Sequence, residues 1–256
     1  MATKTLSENI NQAISDFGSI KQAIIDKGVE VPSGTPTSQY GAKIGEIQSG
    51  GGSDEDFKGV IERTATNPTL PSGLTKIGYY AFYSCTKLAL TSLPNSLTSI
   101  SSYAFSGCTK LALTSLPNGL TSIGNNAFQY CSSLSLTSLP NGLTSISNNA
   151  FQYCSSLSLT SIPDSVTSIN SSAFYNCTNL ALTSLPNSLT SISSYAFYGC
   201  TGLTEITFKS KPSTLSTSAF SGCTNLTTIR VPWAEGEVSG APFGATNATL
   251  IYSYVE

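Results

Sequence analysis

The stretch Pro94–Leu116 reads PNSLTSISSYAFSGCTKLALTSL, and Pro117–Leu139 follows it directly as PNGLTSIGNNAFQYCSSLSLTSL. The same skeleton of Leu, Thr-x-Ile, Ala-Phe and Cys-x-x-Leu recurs every 23 residues over seven units, with Val166 for the leucine in the fifth unit and PSTL at 212–215 for Leu-Thr-x-Ile in the seventh. Each unit carries one marker cysteine: Cys85, Cys108, Cys131, Cys154, Cys177, Cys200 and Cys223. One unit has too few apolar residues to enclose a core, so this fixed period predicts a solenoid whose stacked units share one core.

The spacing inside a unit predicts two kinds of local structure. Leu97–Ile100 fits a short strand, and Leu111–Leu116 predicts a second one before the next proline. Ala104–Cys108 has helix-like spacing, and Ser101–Ser102 can supply a capping hydroxyl. The expected fold is therefore a solenoid of short strands and helical turns, α+β or mainly β.

The units resemble the bacterial leucine-rich repeats of the BspA-like or Treponema type, whose signature is Leu-Thr-x-Ile-Gly-x-x-Ala-Phe-x-x-Cys-x-x-Leu ending in Leu-Pro. The likeness covers roughly Asp56 to Tyr254, and it implies a leucine-rich-repeat solenoid. One departure concerns the strand after each cysteine. The family usually has an isoleucine three residues after the Cys-x-x-Leu leucine, as at Ile206 and Ile229, whereas from Leu90 to Leu182 the apolar residue comes two residues after it. A one-residue shift reverses the face to which a side chain points, so the central coils should follow a different path there.

The chain divides into four predicted parts: a helical attachment or oligomerisation region at 1–48, a Gly/Ser linker at 49–55, the solenoid at 56–231 and a C-terminal cap at 232–256. The first part has apolar residues four and three apart, the spacing of a helix that packs against another helix. This favours a homo-oligomer, such as a trimer, or a helical hairpin within one chain. The predicted oligomerisation residues are Leu6, Ile10, Ala13, Phe17, Ile20 and Ile24.

Composition argues against several functions. Only 10% of residues are charged and the net charge is −2, so no basic surface is available for nucleic acid. Neither a secretory leader nor an apolar run long enough to span a membrane is recognisable. The chain has no histidine, and one cysteine per coil cannot gather three or four metal ligands. We therefore expect no cofactor, no metal and no catalysis, with the cysteines as small packing residues.

The residues around each Ala-Phe pair vary while the skeleton stays fixed. All nine tyrosines of the repeats fall there, so stacking should align them along one edge. Tyrosine mixed with Ser, Asn and Gly is typical of recognition surfaces. The alternative is an exposed turn that merely tolerates such residues. The candidate ligand contacts are Tyr80, Tyr83, Tyr103, Asn126, Gln129, Tyr130, Asn149, Gln152, Tyr153, Tyr175, Tyr195 and Tyr198.

Both flanks, residues 15–47 and 229–254, look like segments of tail and appendage proteins from phages and prophages of Gram-positive gut bacteria. This resemblance implies a recognition protein of the virion, assembled in the host cytoplasm. Its partners would be a bacterial surface protein or glycan and other tail proteins. The alternatives are a BspA-like adhesin of the bacterial cell surface and a structural spacer on a particle.

Overall fold

The structure is a computed structural model, and it describes residues 66–255. The predicted helical region at 1–48, its oligomerisation residues and the linker at 49–55 lie outside the described residues. Eleven short strands occur within the described part of the chain. In chain order they are β1 (Lys76–Ile77), β2 (Ser99–Ile100), β3 (Ser122–Ile123), β4 (Ser145–Ile146), β5 (Ser168–Ile169), β6 (Ser184–Leu185), β7 (Ser191–Ile192), β8 (Glu205–Phe208), β9 (Thr214–Leu215), β10 (Thr228–Arg230) and β11 (Thr249–Ile251).

All strand pairing is parallel and joins equivalent positions of neighbouring coils. The Thr-x-Ile segments and the equivalent strand β9 form two sheets, β1-β2-β3 and β4-β5-β7-β9, while β11-β10-β8-β6 forms a third. In each Thr-Ser-Ile segment the isoleucine points inward, as with Ile100, which is 1% exposed. The threonine hydroxyl bonds to the coil before it, as Thr98 Oγ1 does to the Thr75 carbonyl at 3.0 Å. A leucine-rich-repeat solenoid therefore fits the structure.

The prediction of helical turns is wrong, because the described residues form no helix. Ser101–Cys108 instead forms consecutive β-turns, closed by N–H donation from Ala104 to Ser101 at 3.3 Å and from Cys108 to Phe105 at 3.0 Å. Of the intervening N–H groups, that of Ser106 also donates within the coil, to Tyr103 at 3.2 Å. The N–H groups of Phe105 and Gly107 donate to the next coil, as Phe105 does to the Ala127 carbonyl at 2.8 Å. An α-helix would use these donors internally and leave the coils unconnected along this side.

Two of these turns place their third residue at positive φ, the geometry of a type II turn. In one coil these residues are Tyr103 (φ 58°) and Gly107 (φ 79°). The first position precedes each alanine and the second precedes each cysteine. We call them the pre-alanine and pre-cysteine positions. Glycine and asparagine adopt this backbone readily, whereas other residues do so at a steric cost.

The second strand predicted at Leu111–Leu116 is absent from the central coils and present only from β6 onward. In this segment Leu111, Leu113 and Leu116 are all buried, so the inward residues are spaced by two and then by three. A strand needs strict alternation. The strand β8 satisfies it, because Ile206 and Phe208 are both buried and their neighbours are not. The departure from the family pattern therefore does change the path of the central coils.

The core is a continuous column in which each skeleton residue stacks on its equivalent in the next coil. The rings of Phe105 and Phe128 lie 5.4 Å apart with planes 5° from parallel, and the same arrangement extends from Phe82 to Phe220. After the last repeat, Trp233 and Phe243 are buried. Trp233 packs edge-on against Phe208 at 5.3 Å. With β11 paired to β10, these residues form a further turn over the end of the core.

Candidate functional site: a tyrosine-lined groove

Four tyrosines from four successive coils form one continuous row, which we call the tyrosine ladder: Tyr130, Tyr153, Tyr175 and Tyr198. The rings of Tyr130 and Tyr153 stack at 4.8 Å, and those of Tyr175 and Tyr198 stack at 4.4 Å. Between the two pairs, Tyr153 and Tyr175 lie 5.4 Å apart with planes tilted by 54°. The tilt coincides with a shift of the tyrosine within the repeat. Tyr130 and Tyr153 directly precede the marker cysteine, whereas Tyr175 and Tyr198 lie two residues before it.

A second row of side chains runs beside the tyrosines and belongs to the residue after each cysteine. We call it the hydroxyl ladder: Thr109, Ser132, Ser155, Thr178 and Thr201. The Ser132 hydroxyl donates to the Thr109 carbonyl at 3.3 Å, and the Ser155 hydroxyl donates to the Ser132 carbonyl at 3.4 Å. The hydroxyl groups of Thr109 and Thr178 donate to the coil before them in the same way. Because these four donors are engaged, their oxygens keep lone pairs that can accept a hydrogen bond from a ligand.

The tyrosine ladder and the hydroxyl ladder line one groove with a volume of about 770 Å³. Its remaining lining residues are Asn176, Gly199 and Gly222, so no charged side chain takes part. The pKa of Tyr175 is raised, first because its phenol loses water and second because the phenols of Tyr153 and Tyr198 lie beside it. The groove therefore offers neutral hydroxyl groups and aromatic surface.

The predicted single edge of tyrosines is divided in the structure. Tyr80, Tyr83 and Tyr103 form a separate group, which we call the N-terminal tyrosine cluster. Tyr80 and Tyr103 stack at 4.9 Å, and Tyr83 meets Tyr80 edge-on at 5.4 Å. None of the three lines the groove. Tyr195 lies just outside it and packs edge-on against Tyr198 at 5.8 Å.

The four amide candidates serve the framework of the coils. Asn126 (φ 59°) and Asn149 (φ 53°) occupy the pre-alanine position, where the type II turn favours asparagine. Asn126 is also 7% exposed, which leaves little of it for a ligand. Gln129 and Gln152 are half-buried, and the Gln129 amide donates a hydrogen bond to the side-chain oxygen of Gln152 in the next coil. Ligand contact at these residues stays a prediction.

The marker cysteines are buried thiols, and the six from Cys108 to Cys223 each bond to a carbonyl oxygen of the coil before them. Cys154 Sγ lies 3.0 Å from the Phe128 carbonyl oxygen, and Cys177 makes the same contact to Phe151. Burial raises the pKa of the Cys108 and Cys223 thiols to about 12. Within residues 66–255, no three His, Cys, Asp or Glu side chains come together as a candidate metal site.

The hydroxyl ladder is the part of the site that sequence reasoning missed. A signal was present, because every marker cysteine is followed by serine or threonine, from Thr86 to Thr224. In sequence this looks like ordinary surface polarity. Only the stacking of coils places these hydroxyls in register beside the tyrosines.

Comparison with known proteins places the chain in a family. Residues 57–181 and 144–251 match the BspA type leucine rich repeat region in six copies. Among the described residues, no helix has the length and apolar character required to cross a membrane. A comparison with curated proteins found no significant match.

Solved structures with the same repeat include two bacterial proteins. The leucine rich repeat protein of T. pallidum is 33% identical over 63% of this chain and 78% of that one, with a TM-score of 0.53. A leucine rich cell surface protein of Faecalibacterium prausnitzii is 29% identical over 65% of this chain, with a TM-score of 0.53, and the match spans 55% of that protein. The resemblance of the repeats is thereby confirmed, and the chain belongs to the family of BspA-type leucine-rich-repeat proteins.

Proposed function

We propose that the chain is a non-enzymatic recognition protein of the bacterial cell surface, which adheres to its partner through the tyrosine-lined groove. The observation that carries this proposal is the groove itself, where four aligned tyrosines lie beside five aligned hydroxyl groups. Tyrosine offers rigid, amphipathic contact area at a low entropic cost. The groove contains no pair of ionisable groups suited to acid–base chemistry at neutral pH, which favours binding over catalysis.

Backbone strain also supports a role for Tyr130 and Tyr153. Both have φ of 61°, at the pre-cysteine position that Gly107, Gly199 and Asn176 fill in other coils. A tyrosine costs about 1–2 kcal/mol more than glycine in this conformation. The Tyr130 side chain is also poorly buried, because the residue is 48% exposed. Tyr80, Tyr103 and Tyr195 have the same positive φ, so strain indicates a surface role for all of these tyrosines. What distinguishes Tyr130 and Tyr153 is their place in the continuous row of the groove.

The cellular setting is proposed from the relatives. The F. prausnitzii relative is described as a cell surface protein, and the family match of this chain covers residues 57–251. A surface adhesin is therefore the better supported setting. The virion interpretation depends on the flanks alone, and mass spectrometry of purified virions would test it. A spacer without a ligand is the remaining alternative, and it predicts no adhesion by any form of the chain.

Adhesion by matched variants tests the proposal. Tyr130→Asn with Tyr153→Asn removes half of the tyrosine ladder and keeps a residue that suits positive φ, as Asn176 does in the next coil. Tyr80→Asn with Tyr103→Asn is the control, because it makes the same change at the N-terminal tyrosine cluster. Beads coated with the full chain are counted on bacterial and epithelial cells. We expect the groove variant to lose adhesion by about tenfold and the control to keep it. Equal adhesion by both variants would contradict the proposal.

A further inference from the structure

The groove is long and repeats once per coil. Its hydroxyl ladder runs from Thr109 to Thr201 and so offers five equivalent hydroxyl groups in a row. The ring separations along the tyrosine ladder, 4.4 to 5.4 Å, give the interval between neighbouring coils. A ligand that uses the whole groove must therefore be a linear chain whose own units repeat at about this interval.

The interval excludes an extended peptide lying along the groove. Side chains on one face of a β-strand recur every two residues, about 6.7 Å apart. Such a peptide would lose register with the ladders within two coils. In an extended, β-1,4-linked polysaccharide each pyranose ring has about the length of one coil interval, and successive rings are turned over. Equivalent faces therefore recur about every two coils, so the polymer stays in register with the ladders and one sugar unit can lie beside each coil.

The chemistry of the lining agrees with such a chain. The groove has no charged side chain, and the nearest charged residue along the chain is Lys110, beside Thr109. A neutral polymer therefore meets no unpaired charge. The hydroxyl ladder can accept hydrogen bonds, because four of its five donors are engaged by carbonyl groups, as in Thr178 Oγ1 to the Ser155 carbonyl at 3.4 Å. Sugar hydroxyls are donors of this kind.

The aromatic surface also suits sugar rings. Tyr130 and Tyr153 cover each other's faces by stacking, so they present ring edges and phenol groups to a ligand. The rings of Tyr153 and Tyr175 lie only 5.4 Å apart with planes tilted by 54°, so a sugar ring cannot enter between them. A pyranose can instead lie across the row of ring edges, with its apolar C–H groups on the rings and its hydroxyl groups at the phenols.

We propose that the groove binds an extended, neutral, β-linked polysaccharide that runs along the solenoid with one pyranose unit per coil. This inference rests on the proposed function of the same groove, and it specifies the chemical class of the ligand.

Calorimetric titration of the full chain tests the ligand class. The probes are the β-1,4-linked hexasaccharides of glucose, mannose and N-acetylglucosamine. The controls are the α-1,4-linked hexasaccharide of glucose, which coils, and the hexamer of galacturonic acid, which is anionic. We expect at least one β-linked probe to bind about tenfold more tightly than either control. Its affinity should rise with chain length from the disaccharide and level off at about five units, because the hydroxyl ladder has five members.

Variants assign the binding to the groove. Tyr130→Asn with Tyr153→Asn, and separately Ser132→Ala with Ser155→Ala, should each weaken binding of that probe by about tenfold. Tyr80→Asn with Tyr103→Asn should leave it unchanged. No binding of any β-linked probe, or affinity independent of length, overturns the inference. If adhesion to cells still depends on Tyr130 and Tyr153 in that case, the proposed function stands with a protein as partner. If adhesion does not depend on them, the proposed function itself fails.

Discussion

Tyr153 combines a strained backbone with favourable ring contacts. Its φ is 61°, and its ring stacks on Tyr130 at 4.8 Å and lies 5.4 Å from Tyr175. An aromatic pair contributes about 0.5–1.5 kcal/mol beyond its area, which is close to the steric cost of a left-handed conformation. The two effects nearly cancel, so the turn can hold a tyrosine without a large change in stability.

This balance predicts different results for two substitutions of Tyr153. Tyr153→Asn loses the ring contacts but relieves the backbone, so its free energy of unfolding should stay within about 1 kcal/mol of the unmodified protein. Tyr153→Ala loses the same contacts and lacks the short polar side chain whose local hydrogen bonds let asparagine adopt positive φ, so it should be less stable than the Asn variant by about 0.5–1 kcal/mol. Urea unfolding measures both. An Ala variant as stable as the Asn variant would contradict the turn geometry.

The marker cysteines predict a pH dependence of stability. Burial raises the pKa of Cys108 from 9.0 to about 12, and the pKa of Cys131, Cys154 and Cys200 rises as well. Above pH 9 the unfolded chain releases thiol protons that the folded chain retains. The free energy of unfolding should therefore be unaffected by these thiols below pH 9 and should fall as pH rises toward 12.

Two measurements check the behaviour of the thiols. A thiol reagent at pH 8 should label none of the seven cysteines in the folded protein and all of them in denaturant. The slope of the free energy of unfolding against pH gives the number of protons released on unfolding, and Cys154→Ala should lower this number by about one at alkaline pH. Rapid labelling of the folded protein would show that the thiols are not enclosed by the stacked coils.

At the scale of elements, the sequence predicts the strands better than the turns. Thr-Ser-Ile marks the first strand because its isoleucine must face the core. The Ala104–Cys108 segment misleads because a series of type II turns also spaces its buried residues three and four apart. The distinguishing signal is Gly107, together with Gly199, Gly222 and Asn176 at the same pre-cysteine position. Glycine or asparagine at one fixed position indicates positive φ, which a helix interior does not contain.

The column of phenylalanines predicts a gradient of stability along the solenoid. Phe151 is fully buried and stacks on a ring in the coil before it and in the coil after it, at 5.5 and 5.6 Å. Phe82 is 6% exposed and has one such partner in the described residues, Phe105. Phe151→Ala should cost about 3–5 kcal/mol, and Phe82→Ala should cost less because the end of a stack can relax into the space. Thermal unfolding compares the two, and equal losses would contradict the stacked core.

For the whole molecule, the functional surface is a product of stacking. A single coil supplies one tyrosine and one hydroxyl, and neither is distinctive in sequence. The 23-residue period predicts that equivalent residues align, which correctly identifies a repetitive surface. It predicts one edge for all nine tyrosines and does not predict that Tyr130, Tyr153, Tyr175 and Tyr198 form a row without Tyr80, Tyr83 and Tyr103, because the tyrosines occupy different positions in their repeats. The turn geometry brings the two positions into one row.

Tyrosine-selective chemical labelling with mass spectrometry tests the central claim most directly, because the control residues lie in the same chain. Tyr130 in the groove and Tyr80 in the N-terminal tyrosine cluster are equally accessible, at 48% and 46% exposed. The full chain is labelled free in solution and again while attached to cells. We predict that labelling of Tyr130 and the other members of the tyrosine ladder falls on attachment, while labelling of Tyr80 does not. Unchanged labelling of Tyr130 on attached protein would contradict the assignment of the groove as the recognition surface.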